Sequence, residues 1–123
     1  MAEWSSVERH VHENYRVASQ EGTWITLDFD MGNNKSQTLM MTLASGLIQF
    51  VSPFASRNEV SMDRVFAAMR EDGVVLGITA VDRVLLVTHS QLLETVDEEE
   101  IDAGIRLVIE AADMLASRLT AGT

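Results

Sequence analysis

Between Asp97 and Leu119 the apolar residues Ile101, Ile105, Val108, Ala112, Leu115 and Leu119 recur in steps of 4, 3, 4, 3 and 4. Positions three and four apart share a helix face, so all six lie on one stripe of a helix of about six turns. Leu107, Ala111 and Met114 stand beside the stripe and widen it. A helix with so broad an apolar face must bury it against another layer. Asp97 and Glu100 have the spacing of a capping box at its start, with Asp replacing the usual Ser or Thr.

The residues ahead of that helix supply the other layer. Ile25, Leu27, Phe29 and Met31 alternate with Trp24, Thr26, Asp28 and Asp30, the period of a strand with one apolar and one polar face. Turn residues at 32–35 and at Ser45-Gly46 then separate strands predicted at 36–44 and 47–52, the last ended by Pro53. Ser61 is placed to cap a short helix whose predicted buried face is Met62, Val65, Phe66 and Met69, stopped at Asp72-Gly73. Apolar strands are predicted at 74–81 and 84–92 around an Asp82-Arg83 turn. At the front, Trp4, Val7, Val11, Tyr15 and Ala18 predict an amphipathic helix over 3–20, ended at Gly22. The expectation is an α+β fold, a five-stranded antiparallel sheet with helices packed on it in the order α-β-β-β-α-β-β-α, in one domain spanning residues 1–123.

Charge and composition narrow the function. Nineteen acidic residues face nine basic ones, for a net charge of -10, and Lys35 is the only lysine. Such a field repels phosphate backbones, so no nucleic-acid partner is expected. The chain has no cysteine, which removes disulfides, thiolate nucleophiles and cysteine metal sites together. No apolar run approaches the ~20 residues that span a bilayer, and the start Met1-Ala2-Glu3-Trp4 has no secretory pattern. The expectation is a cytoplasmic protein with no membrane partner.

Reactive groupings are few. His10 and His12, two apart, point to different faces of the first helix and read as exposed helix histidines rather than a chelating pair. His89 stands between Thr88 and Ser90 near a strand end, without a nucleophile elbow. Asp28 and Asp30 share a strand face about 7 Å apart, a spacing that cation binding or acid–base work could use, but on the polar side of an alternating strand they read as a solvated face. Neither a cofactor nor a metal site is expected. Trp24 falls on the face of Asp28, where it is either covered by the first helix or is a contact anchor. Met40 belongs to the same side of the neighbouring strand, so an apolar patch is expected there.

Two segments carry a resemblance. Val75-Leu76-Gly77, Val84-Leu85-Leu86-Val87 and Leu92-Leu93 are followed by Glu99-Glu100-Ile101-Asp102-Ala103-Gly104-Ile105 and Glu110-Ala111-Ala112-Asp113-Met114-Leu115. This hairpin, acidic stretch and closing helix resemble the YbjN-like family of bacterial proteins, which has the type III secretion chaperone-like fold. The resemblance implies a small acidic domain that works by binding protein. Together the readings point to a non-enzymatic protein-interaction module, chaperone-like or regulatory and homodimeric. Trp24, Met40, Leu107, Ala111 and Met114 are its candidate contact residues. The alternative is a small-ligand-binding domain or enzyme using His89 with Asp28 or Asp30.

Overall fold

The computed structural model describes residues 3–74 and 76–121. The elements run α1 (Trp4–Asn14), β1 (Val17–Glu21), β2 (Trp24–Gly32), β3 (Lys35–Ala44), β4 (Leu47–Ser56), α2 (Met62–Asp72), β5 (Gly77–Val81), β6 (Val84–Leu92) and α3 (Glu98–Ala121). The fold is α+β, but the sheet has six strands, ordered β1-β2-β3-β4-β6-β5, and every adjacent pair is antiparallel. Four strands therefore precede α2, where the sequence predicts three.

The missed strand lies inside the predicted first helix. Tyr15 leaves the helix in an extended conformation at φ -131°, and 17–21 returns as an edge strand on β2, with Glu21 opposite Trp24. Gly22, at φ 60°, turns this hairpin instead of capping a helix. The spacing of Tyr15 and Ala18 continues the apolar stripe of α1, but 16–21 is otherwise polar and offers a helix little to bury. Pairing with β2 satisfies its backbone groups and those of Trp24–Leu27 at once.

Pro53 does not end its strand either. β4 runs on to Ser56, and a register shift between Pro53 and Ala55 takes up the missing donor. The Pro53 carbonyl accepts from Gln37 Nε2 at 2.5 Å, and the same nitrogen donates to Ser52 Oγ at 2.8 Å. These buried polar groups are thus satisfied within the sheet. β5 starts at Gly77 rather than Val74; Val75 lies outside the described residues, as do Met1, Ala2, Gly122 and Thr123.

One face of the sheet meets the helices. Ile25 pairs with Met41, Met41 with Phe50, and Phe50 with His89, so these side chains form one row under α3. The three named apolar residues of that row are fully buried, as are Ile101, Val108, Ala112 and Leu115 along the α3 stripe. Gly104 lets the helix sit low: a Cβ there would lie 2.6 Å from Gln91 Nε2 and 3.4 Å from Phe50 Cε2. Gln91 Nε2 instead donates to the Glu100 carbonyl at 2.8 Å. Asp97 caps the helix by accepting from Glu100 N at 2.8 Å.

α2 packs on α3 through Val65 and Ala68. Ser61 accepts from Arg64 N, and Gly73 closes the helix at φ 68°. Phe66 is 51% exposed and does not belong to the buried face that the sequence predicts for it. Among the described residues no helix is long and apolar enough to cross a membrane.

Phe50→Ala is expected to cost about 3–5 kcal/mol, because it opens a cavity beneath Gly104. Phe66→Ala is expected to change stability by no more than ~0.5 kcal/mol. Urea midpoints of the two variants against the parent chain measure the contrast.

Candidate functional site

Among the described residues no helix lies on the second face of the sheet. Strand alternation sends Trp24, Thr26, Asp28 and Asp30 of β2 to this side, opposite to buried Ile25 and Leu27. Register carries the row onward: Thr26 pairs with Met40, Met40 with Val51, Val51 with Thr88, and Thr88 with Gly77. The row crosses five strands, and beside it lie Pro53, Leu86 and Thr79. Together with Trp24 at one end and Val81 and Val84 at the other, they line an open groove of about 1080 Å³. All its lining residues belong to strands or their turns.

The groove has apolar patches set among hydroxyls. Trp24 is 46% exposed and Val81 58%. Thr26, Thr79 and Thr88 supply polar points, and among the described residues Glu21 and Asp82 are the carboxylates of the lining. Gly77 has a reason to lack a side chain, since a Cβ there would come within 2.5 Å of Thr88 Oγ1. α1 packs through Val7 and Val11 into the opposite, buried face, so it leaves Trp24 uncovered. The structure brings Trp24 and Met40 together in this groove, across the Thr26–Met40 pair.

The other three candidate residues gather elsewhere. Leu107, Ala111 and Met114 line a second cavity of about 460 Å³ with Gly73, Val74 and Leu76, at the approach to β5. Leu107 is 47% exposed, while Ala111 is buried.

His89 is not brought to Asp28 or Asp30. It stands on the helix side of β6 with Phe50, ring centroids 5.8 Å apart, and burial lowers its pKa. Asp28 and Asp30 point to the open face of β2. Three inter-strand spacings separate the two strands, about 14 Å, beyond hydrogen-bond reach or a single bridging water. Among the described residues no group of three or more His, Asp or Glu side chains is placed to hold a metal ion.

The sequence reading misses a polar cluster on the helix side. His10 is 8% exposed, not solvated. Its Nε2 lies 2.8 Å from Asp102 Oδ1, and Tyr15 donates its hydroxyl to the same oxygen at 2.7 Å. Asn14 Nδ2 reaches His10 Nδ1 at 3.2 Å. Burial pushes the Asp102 carboxyl up, but hydrogen bonds from Tyr15 and His10, with the nearby charges of His10 and Arg106, outweigh it and hold the pKa below the ordinary 3.8. Burial and the Asp102 bond push the Tyr15 hydroxyl upward. Helical spacing hints at this cluster, since Asp102 falls one residue after Ile101 of the stripe. The pairing with His10 spans 92 positions and leaves no local pattern to read. His12 is exposed and bonds Gln20 Oε1 at 2.5 Å.

No protein-family model matches the chain, and no curated protein matches it in sequence.

Because the folded state lowers the Asp102 pKa, this group stabilises the fold above pH 3.8 and loses that contribution as the pH falls through the lowered value. Tyr15→Phe is expected to cost about 1 kcal/mol at neutral pH and to make the acid loss shallower. Thermal midpoints between pH 7 and pH 2 for the two chains check both.

Proposed function

We propose that this chain is a non-enzymatic protein-interaction module of chaperone-like or regulatory type, which self-associates as a homodimer and receives a partner on its open sheet face. The observation that carries the reading is the bare face itself: among the described residues none forms a layer over the Trp24–Met40–Val51–Val84 side of the sheet. An exposed apolar surface rimmed by polar groups is the common mark of a protein contact. A groove running across strands, with hydroxyls between apolar patches, suits an extended or sheet-like segment better than a compact metabolite. The net charge of -10 favours a basic partner by long-range attraction.

Membership of the YbjN-like family belongs to the same proposal, and with it a place in the bacterial cytoplasm. The hairpin, acidic stretch and long closing helix support it; the additional strand β1 departs from the element order that the resemblance implies. The reading with His89 and a carboxylate has no comparable support, because these groups lie on opposite faces of the sheet.

Trp24→Ala is expected to weaken partner binding by roughly 30-fold, the loss typical of an aromatic anchor, and Met40→Arg to abolish it, with unchanged thermal midpoints. Quantitative capture from native extract with the three chains, followed by titration of the recovered protein, measures this. Equal capture by all three would refute the assignment of this face.

A further inference from the structure

The two edges of the sheet are built differently. β1 carries a register shift between Val17 and Ser19, ends on Glu21, and has Gln20 held by Glu8 and His12 of α1. Bulges, charges and overhanging side chains are how proteins block an exposed edge. β5 has none of them. Gly77-Ile78-Thr79-Ala80-Val81 contains no charge and no proline and pairs with β6 without a register shift.

We propose that a second copy of this chain docks on the β5 edge, its own β5 pairing antiparallel across a twofold axis through Thr79, so that the two sheets become one. The inference rests on the self-association proposed above and specifies where it occurs.

Three observations favour a second copy over another occupant. The first is hydrogen-bond direction. Val81 and Val84 flank a two-residue turn, so they form a hydrogen-bonded pair, and alternation leaves the backbone groups of Ile78 and Ala80 facing outward. With Thr79 on the axis, Ile78 of each copy meets Ala80 of the other, and these outward groups satisfy one another.

The second is size. That register sets Val81 against Gly77 and Ile78 against Ala80, each large side chain opposite a small one, with Thr79 opposite Thr79, a favourable cross-strand pair.

The third is charge. The approaching strands are uncharged in a chain of net charge -10. Asp82 of the second copy falls opposite Leu76, which brings the adjoining Arg83 toward Glu110, a neighbour of Leu76 in the cavity beside β5. The open groove already reaches Thr79 and Val81, so pairing would extend it unbroken into the second copy. A five-residue edge buries little area beside the ~1,200 Å² of a firm complex, and the dimer is therefore reversible.

The chain has no native cysteine, which makes a disulfide trap specific. In a non-hydrogen-bonded antiparallel pair the facing Cα atoms lie about 4.5 Å apart, within disulfide range. Thr79→Cys is expected to oxidise to a covalent dimer, while Ser19→Cys on β1 remains monomeric under the same conditions. Ala80→Pro leaves the β5–β6 ladder intact, since this nitrogen points away from β6. It removes one backbone hydrogen bond per copy and is expected to raise the dimer dissociation constant roughly 30-fold, read by light scattering across a dilution series. A dimeric mass that survives Ala80→Pro, with no Thr79→Cys disulfide, overturns the edge assignment and leaves self-association standing. A monomeric mass at every concentration overturns both.

Discussion

The burial of α3 on one side of the sheet is the constraint from which the rest of the molecule follows. Its stripe from Ile101 to Leu119 is almost wholly shielded from water, and it finds that shielding over β3, β4 and β6. Gly104 is costly for a helix by about 1 kcal/mol in propensity. Here it lets the backbone settle against Phe50 and Gln91, and the closer contact enlarges the apolar area removed from water. Because α3 occupies that face, α1 and α2 pack beside it rather than across the sheet. The same choice leaves the other face bare.

α3 is also fastened near both ends by polar contacts. Near its start, Asp102 collects His10 from α1 and Tyr15 from the link to β1. Near its end, Arg118 pairs with Glu71 and Asp72 of α2, and Arg64 donates to the Leu119 carbonyl at 3.1 Å. Hydrophobic contact alone is tolerant of sliding, whereas these bonds have fixed geometry. The Asp102 cluster is half buried and satisfied, so it holds α1 in place without the full penalty of an unpaired buried charge. The Arg118 pair is exposed and contributes little to stability; its effect is on where the chain end of α2 rests.

Strong periodicity made much of this legible in the sequence. The α3 stripe, the alternation in β2, the Ser61 cap and the Gly73 stop are local patterns, and the structure has them where the residues put them. The errors came where a tertiary partner overrode a local signal. Tyr15 and Ala18 extend a helical period, yet 16–21 gains more as an edge strand against β2. Pro53 lacks a donor, yet a bulge follows it and the neighbouring Ser52 Oγ donates to the Thr38 carbonyl of β3. Phe66 has helical spacing with Met62 and Met69, yet α3 reaches only far enough to cover Val65 and Ala68. For the candidate site, alternation alone put Trp24 and Met40 on one face. The continuation of that face through Val51, Thr88 and Leu86 depends on strand order, which no spacing within a strand encodes. The same is true of the distance between His89 and Asp28.

The bare face is chemically mixed. β4 and β6 each have a strand on either side and carry β-branched and aliphatic residues on this face, as at Val51, Val84 and Leu86, where neighbouring strands shield part of each side chain. Leu86 is only 5% exposed although no helix lies over it. β2, like β6 one strand in from an edge, instead puts Asp28 and Asp30 on that same face, both exposed. Apolar area therefore stands at both ends of the groove, Trp24 on β2 and Val81 with Val84 beside β5, and its carboxylates Glu21 and Asp82 are likewise at opposite ends. Asp28 and Asp30 lie farther along β2, outside that lining, so the middle of the groove is left to Met40, Val51 and the threonine hydroxyls.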